Sequence, residues 1–511
     1  MFRLPIVKFF NRIFNRVTIT VVLVALQVLW LLWAFWSFTA GRVWLNGALK
    51  ALSILIVLYL VRKDENSAYK IGWIVLIGLL PLLGGALYLA FGNKAPAKYL
   101  RERMQKVEQA HQTELAQPEG QTDALDISSR NLSRYVAKFG PYPAWRDTAA
   151  HYFSCGEEMY PQLLADLEKA EKFIFLEFFI LRSGKMWDGV EQILRRKAAQ
   201  GVDVRLIYDD FGSLLGLPSD FVIRMEKAHI RCIPFNPVVP LVSLVMNHRD
   251  HRKIVVIDGK VAYTGGVNLA DEYINELERF GRWKDCGILV RGKAVWSMTV
   301  MFLSLWGYVD RCEEDVSRFR VACAEKQGGT GFLQPFADSP LDNEDVGATM
   351  LQSVISSAQE RMWIMTPYLI LDDKMTTALC VAAKTGVDVR IITPAIPDKW
   401  YVHAVTRANY EELTRAGVRI YEYTPGFIHS KVYLADSVQA VVGTVNLDFR
   451  SLYLHFEDAV YLCDTAANAQ IEEDFVQTFP QCRAITYEQC RHVHLYQRIL
   501  RALLRMFAPL M

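Results

Sequence analysis

The chain has 511 residues, enough for several domains, and its 57 Lys plus Arg against 55 Asp plus Glu leave a formal charge of only +2. That balance excludes a global basic field of the kind that grips nucleic-acid phosphates, so any basic site must be local. Hydrophobic residues make up 52% of the chain, the upper edge for a soluble protein, and the excess lies at the N-terminus.

Residues 17–41 and 71–93 carry no charge, and each run is long enough for a bilayer core of about 30 Å. Between them, residues 43–61 are interrupted only by Lys50, which can snorkel from a helix end. Three membrane helices near 17–41, 43–61 and 71–93 are therefore expected to form an anchor over residues 1–93. A cleaved signal peptide suits the first run less well, because it exceeds a normal h-region and no A-x-A site follows. Flanking Lys and Arg number 7 on one side and 6 on the other, which sets no orientation. The nine cysteines are odd in number and lack a C-x2-C pair, so they indicate neither a disulfide framework nor a zinc site and lean towards a reducing compartment.

A charged helical stretch from residue 98, broken at Pro118 and Gly120, reads as part of a connector over 94–145. Beyond it the pattern alternates: helix 157–170, strand KFIFLEFFIL, helix 187–200, strand VDVRLIYDD. The second half repeats that order with ATMLQSVISSAQ, RMWIMTPYLI, MTTALCVAAKT and VDVRIITPA, and GVDVR recurs verbatim at 201–205 and 386–390. Alternation predicts an α/β (α+β) fold, a mixed sheet flanked by helices; the internal repeat predicts two such units, 146–325 and 326–487, packed face to face. A basic amphipathic helix over 488–511 closes the chain, with Arg491, His494, Arg498, Arg501 and Arg505 on one face beside Leu495, Ile499 and Met506.

The chemistry is concentrated in HRKIVVID at 251–258, which returns 178 positions later as HSKVYLAD at 429–436. Both copies read H-x-K-x4-D, and chance supplies only about 0.1 such hits in a chain of this composition. On a strand His251 and Lys253 share a face, as do His429 and Lys431. Asp258 and Asp436 lead into hairpins that end at Asn268 and Asn446, extending each copy to H-x-K-x4-D-x6-G-[GT]-x-N. The set suits phosphoryl-type chemistry: Lys and Asn face the non-bridging oxygens while His attacks or moves a proton. Two copies in one pocket supply an attacker and an acid. No metal is expected, because Lys is a poor ligand and no second His or carboxylate holds ligand spacing.

With their G-x-x-N extensions, the paired motifs resemble the phospholipase D superfamily. The chain from about residue 43, including PLLGGALYLAFG, NHRDHRKIVVIDGKVAYTGGVNLADEY, TPYLI and GTVNLDFRSLYLHFED, is similar to bacterial cardiolipin synthases of that type. The resemblance implies transfer of a phosphatidyl group between two phosphatidylglycerol molecules with release of glycerol, with no cofactor, nucleotide, metal or nucleic-acid partner. It also implies a multi-pass protein of the bacterial inner membrane, with a cytoplasmic-facing catalytic domain. Residue by residue, it assigns His251, Lys253, Asp258, His429, Lys431 and Asp436 to the active site. Asn268 and Asn446 become phosphate partners, Asp285 and Glu457 become carboxylates orienting the opposite histidines, and His251 becomes the attacker. In the superfamily the motif Asp usually lies off the phosphate, which leaves a structural role open for Asp258 and Asp436. This sequence departs from the family's G-S-x-N at GGVN and GTVN, so the first copy lacks a hydroxyl donor, and His455 stands where Asn is more usual.

Two apolar features remain. IPFNPVVPLVSLVMN, just before the first motif, suits either a membrane-facing lip or a core segment. The C-terminal helix suits either an anionic bilayer surface or packing on the domain with a solvated basic face. The alternatives in function are a phospholipase D-type hydrolase, another phosphatidyltransferase with a different acceptor alcohol, and a non-catalytic membrane scaffold. Oligomeric state is not legible.

Overall fold

The computed structural model describes residues 43–63, 66–80, 98–116, 125–238, 248–321 and 331–508, with isolated positions between 29 and 122. The described chain separates into two compact units, residues 1–97 with 237–247, and residues 98–236 with 248–511.

In the smaller unit, helix Val43–Arg62 is followed by Ser67–Leu79, whose first turn is capped by the Asn66 side chain accepting from the Ala68 N–H at 3.1 Å. Leu60, Ile77 and Tyr88 form a small core, while Leu52, Ile54, Leu55, Leu58, Tyr59 and Val61 are exposed. Among the described residues no helix is long and apolar enough to cross a membrane. The first helix runs unbroken for 20 residues and carries Lys50 within it, and the second has only 13 residues. The span expected at 17–41 and much of the one at 71–93 lie outside the described residues.

The larger unit is built from two sheets. The first repeat supplies β1 (Thr148–Phe153), β2 (Phe173–Phe178), β3 (Asp203–Asp209), β4 (Arg231–Phe235), β5 (Arg249–Asp250), β6 (Lys253–Ile257), β7 (Val261–Gly265), β8 (Arg282–Lys284) and β9 (Gly287–Gly292). The second supplies β10 (Phe332–Asp338), β11 (Arg361–Met365), β12 (Asp388–Pro394), β13 (Arg419–Tyr423), β14 (Gly426–Ile428), β15 (Val432–Ala435), β16 (Gln439–Gly443), β17 (His455–Cys463) and β18 (Cys482–Ile485). Strand order in the first sheet is β1-β9-β7-β6-β2-β3-β4, and in the second β10-β17-β16-β15-β11-β12-β13-β18. The two match strand for strand, with β18 added at one edge. Pairing is parallel across β2, β3 and β4 and antiparallel between β2 and β6, and the same holds for β11, β12, β13 and β15, so each sheet is mixed.

Alternation along β2 shows how the layers form. Phe173 and Phe175 face a core shared with the other repeat, while Ile174, Leu176 and Phe178 face the outer helices, Gly156–Leu167 and Lys185–Ala199 among them. The shared core draws Phe175, Ile254 and Ile288 from one repeat and Trp363, Val432 and Val460 from the other. Between them lies helix Val295–Asp310, twelve of whose residues are buried. A helix apolar all round belongs inside a protein, and this one had no counterpart in the sequence pattern. The stretch expected as a connector also folds into the body. Helix Lys98–Gln112 buries Leu100, Met104 and His111, with His111 Nδ1 at 2.9 Å from Ser304 Oγ on the central helix, and helix Ile127–Phe139 buries Leu132 and Val136 in the second repeat's outer core. Only β4 and the start of the apolar run before the first motif are described; residues 239–247 lie outside the described chain.

Candidate active site

Each motif is approached by a short strand that leaves its own sheet. β5 pairs in parallel with β17 (His455↔Arg249, Phe456↔Asp250), and β14 pairs in parallel with β8 (Phe427↔Trp283, Ile428↔Lys284). The residue after each short strand is the motif histidine. His251 N–H donates to the Phe456 carbonyl at 2.9 Å, and His429 N–H donates to the Lys284 carbonyl at 2.7 Å. One position beyond each of those carbonyls stands a carboxylate. Glu457 meets His251 Nδ1 at 2.9 and 3.0 Å, and Asp285 meets His429 Nδ1 at 2.7 Å. Each histidine is thus held, by backbone and by side chain, by the opposite repeat. Both histidines precede their strands, so the inter-repeat pairing orients them, where the sequence reading relied on strand alternation.

The site is buried, and that controls its charges. Burial pulls His251 well below its ordinary value, helped by Lys253, His455, Lys431 and His429. Burial and Lys431 lower His429 to about 4, with Asp285 opposing. Both imidazoles are therefore neutral near pH 7, and an Nδ1–H given to a carboxylate leaves the Nε2 lone pair free. Burial alone would raise Asp285, but His429 and Lys431 outweigh it and hold the carboxyl below its usual range. Glu457 goes the other way, raised by burial against the pull of Lys253. Burial also lowers Lys253 to about 7 and lowers Lys431. Lys253 Nζ donates to the His251 carbonyl at 2.5 Å, and Lys431 Nζ donates to the His429 carbonyl. Lys431 Nζ also lies 2.9 Å from His429 Nδ1; because the carboxylate at 2.7 Å takes that nitrogen's proton, this is a close approach of two donors.

Asp258 and Asp436 sit away from the histidines. Asp258 accepts from the backbone N–H groups of Glu171, Lys172 and Phe173 at 2.8, 2.7 and 2.9 Å, where β2 begins. Asp436 does the same for Gln359, Glu360 and Arg361 at 2.8, 2.8 and 2.9 Å, at the start of β11. Both adopt left-handed backbone angles, φ 52° and 51°, that Asp tolerates better than most residues. Of the two readings open in the sequence, the geometry matches the structural one.

The matched asparagines diverge. Asn268 uses both ends of its amide inside its own repeat, Oδ1 accepting from Ile180 N–H at 2.9 Å and Nδ2 donating to Tyr273 Oη at 2.8 Å. Asn446 keeps a buried side-chain carbonyl with no hydrogen-bond partner. Nor is the hydroxyl in the second copy a donor to the pocket: Thr444 Oγ1 bonds Glu457 Oε2, and Ser451 Oγ donates to Glu457 Oε1 at 2.6 Å. At the matching place Gly266 leaves room for Asp285, which accepts instead from Trp283 Nε1 at 3.2 Å and Cys286 N–H at 2.9 Å.

His455 is the residue the sequence reading under-used. Its ring lies 5.7 Å from that of His251, its Nδ1 lies 3.8 Å from Glu457, and its buried Nε2 has no partner. Ligand atoms of His251, His455 and Glu457 all fall within 4.8 Å of one another. That corrects the expectation that no second His or carboxylate holds ligand spacing near the motifs; the residues are distant in sequence and meet through the β5–β17 pairing. Glu457 is already engaged by His251, Thr444 and Ser451. The eight described cysteines are free.

Two sheets of matching order and two reciprocally held histidine–lysine pairs define a phospholipase D-like enzyme. The family described as cardiolipin synthase, phospholipase D-like domain matches residues 163–280 and 351–479, and the phospholipase D-nuclease N-terminal family matches 51–93. A cardiolipin synthase of Geobacillus kaustophilus is 34% identical over 462 residues, 90% of this chain and 92% of that protein. Cardiolipin synthase 2 of Bacillus anthracis is 33% identical over 467 residues, 90% of each, and an uncharacterized protein of Streptococcus mutans serotype c is 40% identical over 458 residues, 89% of this chain and 99% of the relative. The crystal structure of phosphatidylserine synthase from Haemophilus influenzae Rd KW20 shares the fold, with a TM-score of 0.54 at 15% identity over 74% of this chain and 98% of that one. The chain belongs to the cardiolipin synthase family of phospholipase D-like proteins and is a phosphatidyltransferase.

Proposed function

We propose that this enzyme joins two phosphatidylglycerol molecules into cardiolipin and releases glycerol, through a phosphohistidine intermediate and without a metal. The observation that carries the reading is the reciprocal hold on the histidines: two neutral imidazoles, each with Nδ1 tied to a carboxylate and Nε2 left for chemistry. The resting imidazole of His429 is neutral, so the first step runs from the form that carries a second proton at Nε2, which Asp285 and the bound phosphate anion favour. In it His251 Nε2 attacks phosphorus, the P–N bond forms, and the P–O bond to glycerol breaks as the leaving oxygen takes the Nε2 proton of His429. In the second, His429 takes the proton from the incoming hydroxyl, the new P–O bond forms, and the P–N bond breaks. We base the division of labour on charge: Asp285 lies below its usual range and favours a proton on His429, whereas the raised Glu457 does less to favour one on His251. Lys253 and Lys431, buried beside the histidines, offset charge on the non-bridging oxygens, and Asn446 is the better placed asparagine to join them.

The same reading assigns residues 146–325 and 326–487 to the two repeats, 488–511 to a terminal helix, and 1–93 to an anchor that holds the catalytic part at the cytoplasmic face of the inner membrane. Support for attachment comes from the family match over 51–93 and the exposed apolar row on helix Val43–Arg62.

The experiment is a lipid assay on the full-length enzyme with phosphatidylglycerol alone. Cardiolipin and glycerol in equal amounts are expected, whereas phosphatidic acid alone would identify a hydrolase. Trapping then tests the roles. With a phosphatidyl ester whose leaving group needs no proton, His429→Asn should accumulate an acid-labile adduct on His251, and His251→Asn should form none. Turnover on phosphatidylglycerol should fall about 10²–10⁴-fold in either variant. An adduct on His429 in the His251→Asn protein would reverse the assignment.

A further inference from the structure

The C-terminal helix Leu495–Arg505 is inside out for a helix packed on a soluble domain. Leu495, Ile499, Leu503 and Phe507 recur every fourth residue and are 73%, 53%, 53% and 54% exposed, with Tyr496 and Leu500 exposed beside them. The inward side carries Gln497 and Arg501, which line a cavity of about 250 Å³ together with Arg407 and Glu422. Arg491 and His494 fall outside the helix, which begins after His494, so the basic face expected from the sequence is reduced to Arg498, Arg501 and Arg505. No Asp or Glu occurs between Gln489 and Met511, so the charged side chains that the helix itself contributes beside the stripe are all cationic.

Its direction ties this helix to the active site. Arg498 lies 3.9 Å from Glu411, and Arg501 acts on His403 further back along helix Trp400–Ala416, so the two helices run antiparallel. The C-terminal end of the apolar stripe therefore approaches Trp400, Tyr401 and Ile396, exposed by 64%, 38% and 38%. Those residues follow the end of β12, and register places that end of the sheet beside the second motif: Ile392 pairs with Met365, and Met365 with Val432. In the first repeat the matching end of β3 leads to exposed Phe211 and Leu215, and Tyr208 pairs with Phe178, itself opposite Lys253. Exposed apolar and aromatic side chains of both repeats thus line the sheet edge where the motifs enter.

We propose that this edge and the C-terminal helix form one docking surface for an anionic phospholipid bilayer. The helix lies in the headgroup layer, its leucines and Phe507 turned to the acyl chains, Arg498 and Arg505 at the phosphates, and Trp400 and Tyr401 at the interface where such rings reside. The end of the sheets where the motifs enter then faces the leaflet that holds the substrate. The inference rests on the lipid-substrate reading above, but its test does not depend on turnover.

The test places the photoreactive residue benzoyl-phenylalanine at Ile499 or Leu503 of the full-length enzyme, reconstituted in vesicles of phosphatidylglycerol and phosphatidylcholine. The reference position is Ile127, exposed near Asp126, whose charge acts on Cys463 at the opposite sheet edge. After irradiation, phospholipid adducts at 499 and 503 are expected at least about tenfold above those at 127, falling severalfold when phosphatidylcholine is the only lipid. Equal labelling at all three positions would overturn the proposal. Crosslinks from 499 to a second copy would also overturn it, assigning the stripe to a protein interface. Lipid adducts with an inactive enzyme would leave the surface standing and remove the cardiolipin reading, so the two failures are distinct.

Discussion

Gly266 and Thr444 occupy the same place in the two repeats and solve one problem in opposite ways. Thr444 uses its hydroxyl to hold Glu457, whereas a Cβ at Gly266 would lie 1.9 Å from Asp285 Oδ1, so only glycine admits the shorter carboxylate. Gly266→Ala is expected to displace Asp285 from His429 and lower kcat about 100-fold, since misplacing a catalytic group by about 1 Å costs that much; a substrate titration at constant fold, checked by circular dichroism, measures it. The buried histidines also shape stability. His429 titrates at about 4 in the fold and 6.5 when free, so between those values the unfolded chain binds a proton that the native one does not. Its contribution is fully present above pH 6.5 and is lost as pH falls towards 4. His429→Asn should therefore show a smaller drop in melting temperature than the parent between about pH 6.5 and pH 4.5, read by calorimetry at matched ionic strength.

At the scale of elements, the motif aspartates act as clamps. Asp436 gathers three backbone N–H groups at the entrance to β11, joining the hairpin of β15 and β16 to the strand beside it. Asp436→Asn removes the charge and one acceptor oxygen, and the urea midpoint should shift by an amount equivalent to about 1–2 kcal/mol. Asp258→Asn should behave alike at β2, because its geometry is the same. The short strands β5 and β14 matter more than their length suggests, since each aligns a histidine with the partner carboxylate of the other repeat.

Across the whole molecule, neither repeat contains a complete site. His251 depends on Glu457 and His429 on Asp285, and the shared core would be stripped of one wall if the chain were cut. Residues 1–325 and 326–511 expressed separately should each lose at least about 10³-fold in transfer rate, and co-expression should restore it; radiolabelled phosphatidylglycerol assays on membranes from the three strains would show this.

The sequence by itself determined the duplication, the mixed α/β alternation and the candidate set of reacting residues, because spacing along a strand and repetition of a motif are local properties of the chain. It also pointed to Asp285 and Glu457, though only through resemblance. The placement of His455 beside His251, the central helix Val295–Asp310 and the packing of helices Lys98–Gln112 and Ile127–Phe139 were not legible, since each depends on contacts between residues far apart in the chain. Whether Asn268 and Asn446 are equivalent, whether Thr444 faces the substrate, and which way the C-terminal stripe points were likewise decided only by tertiary structure. A periodic pattern fixes which side chains share a face, but the direction of that face is set by what packs behind it, and here the repeats pack by lending each other a strand.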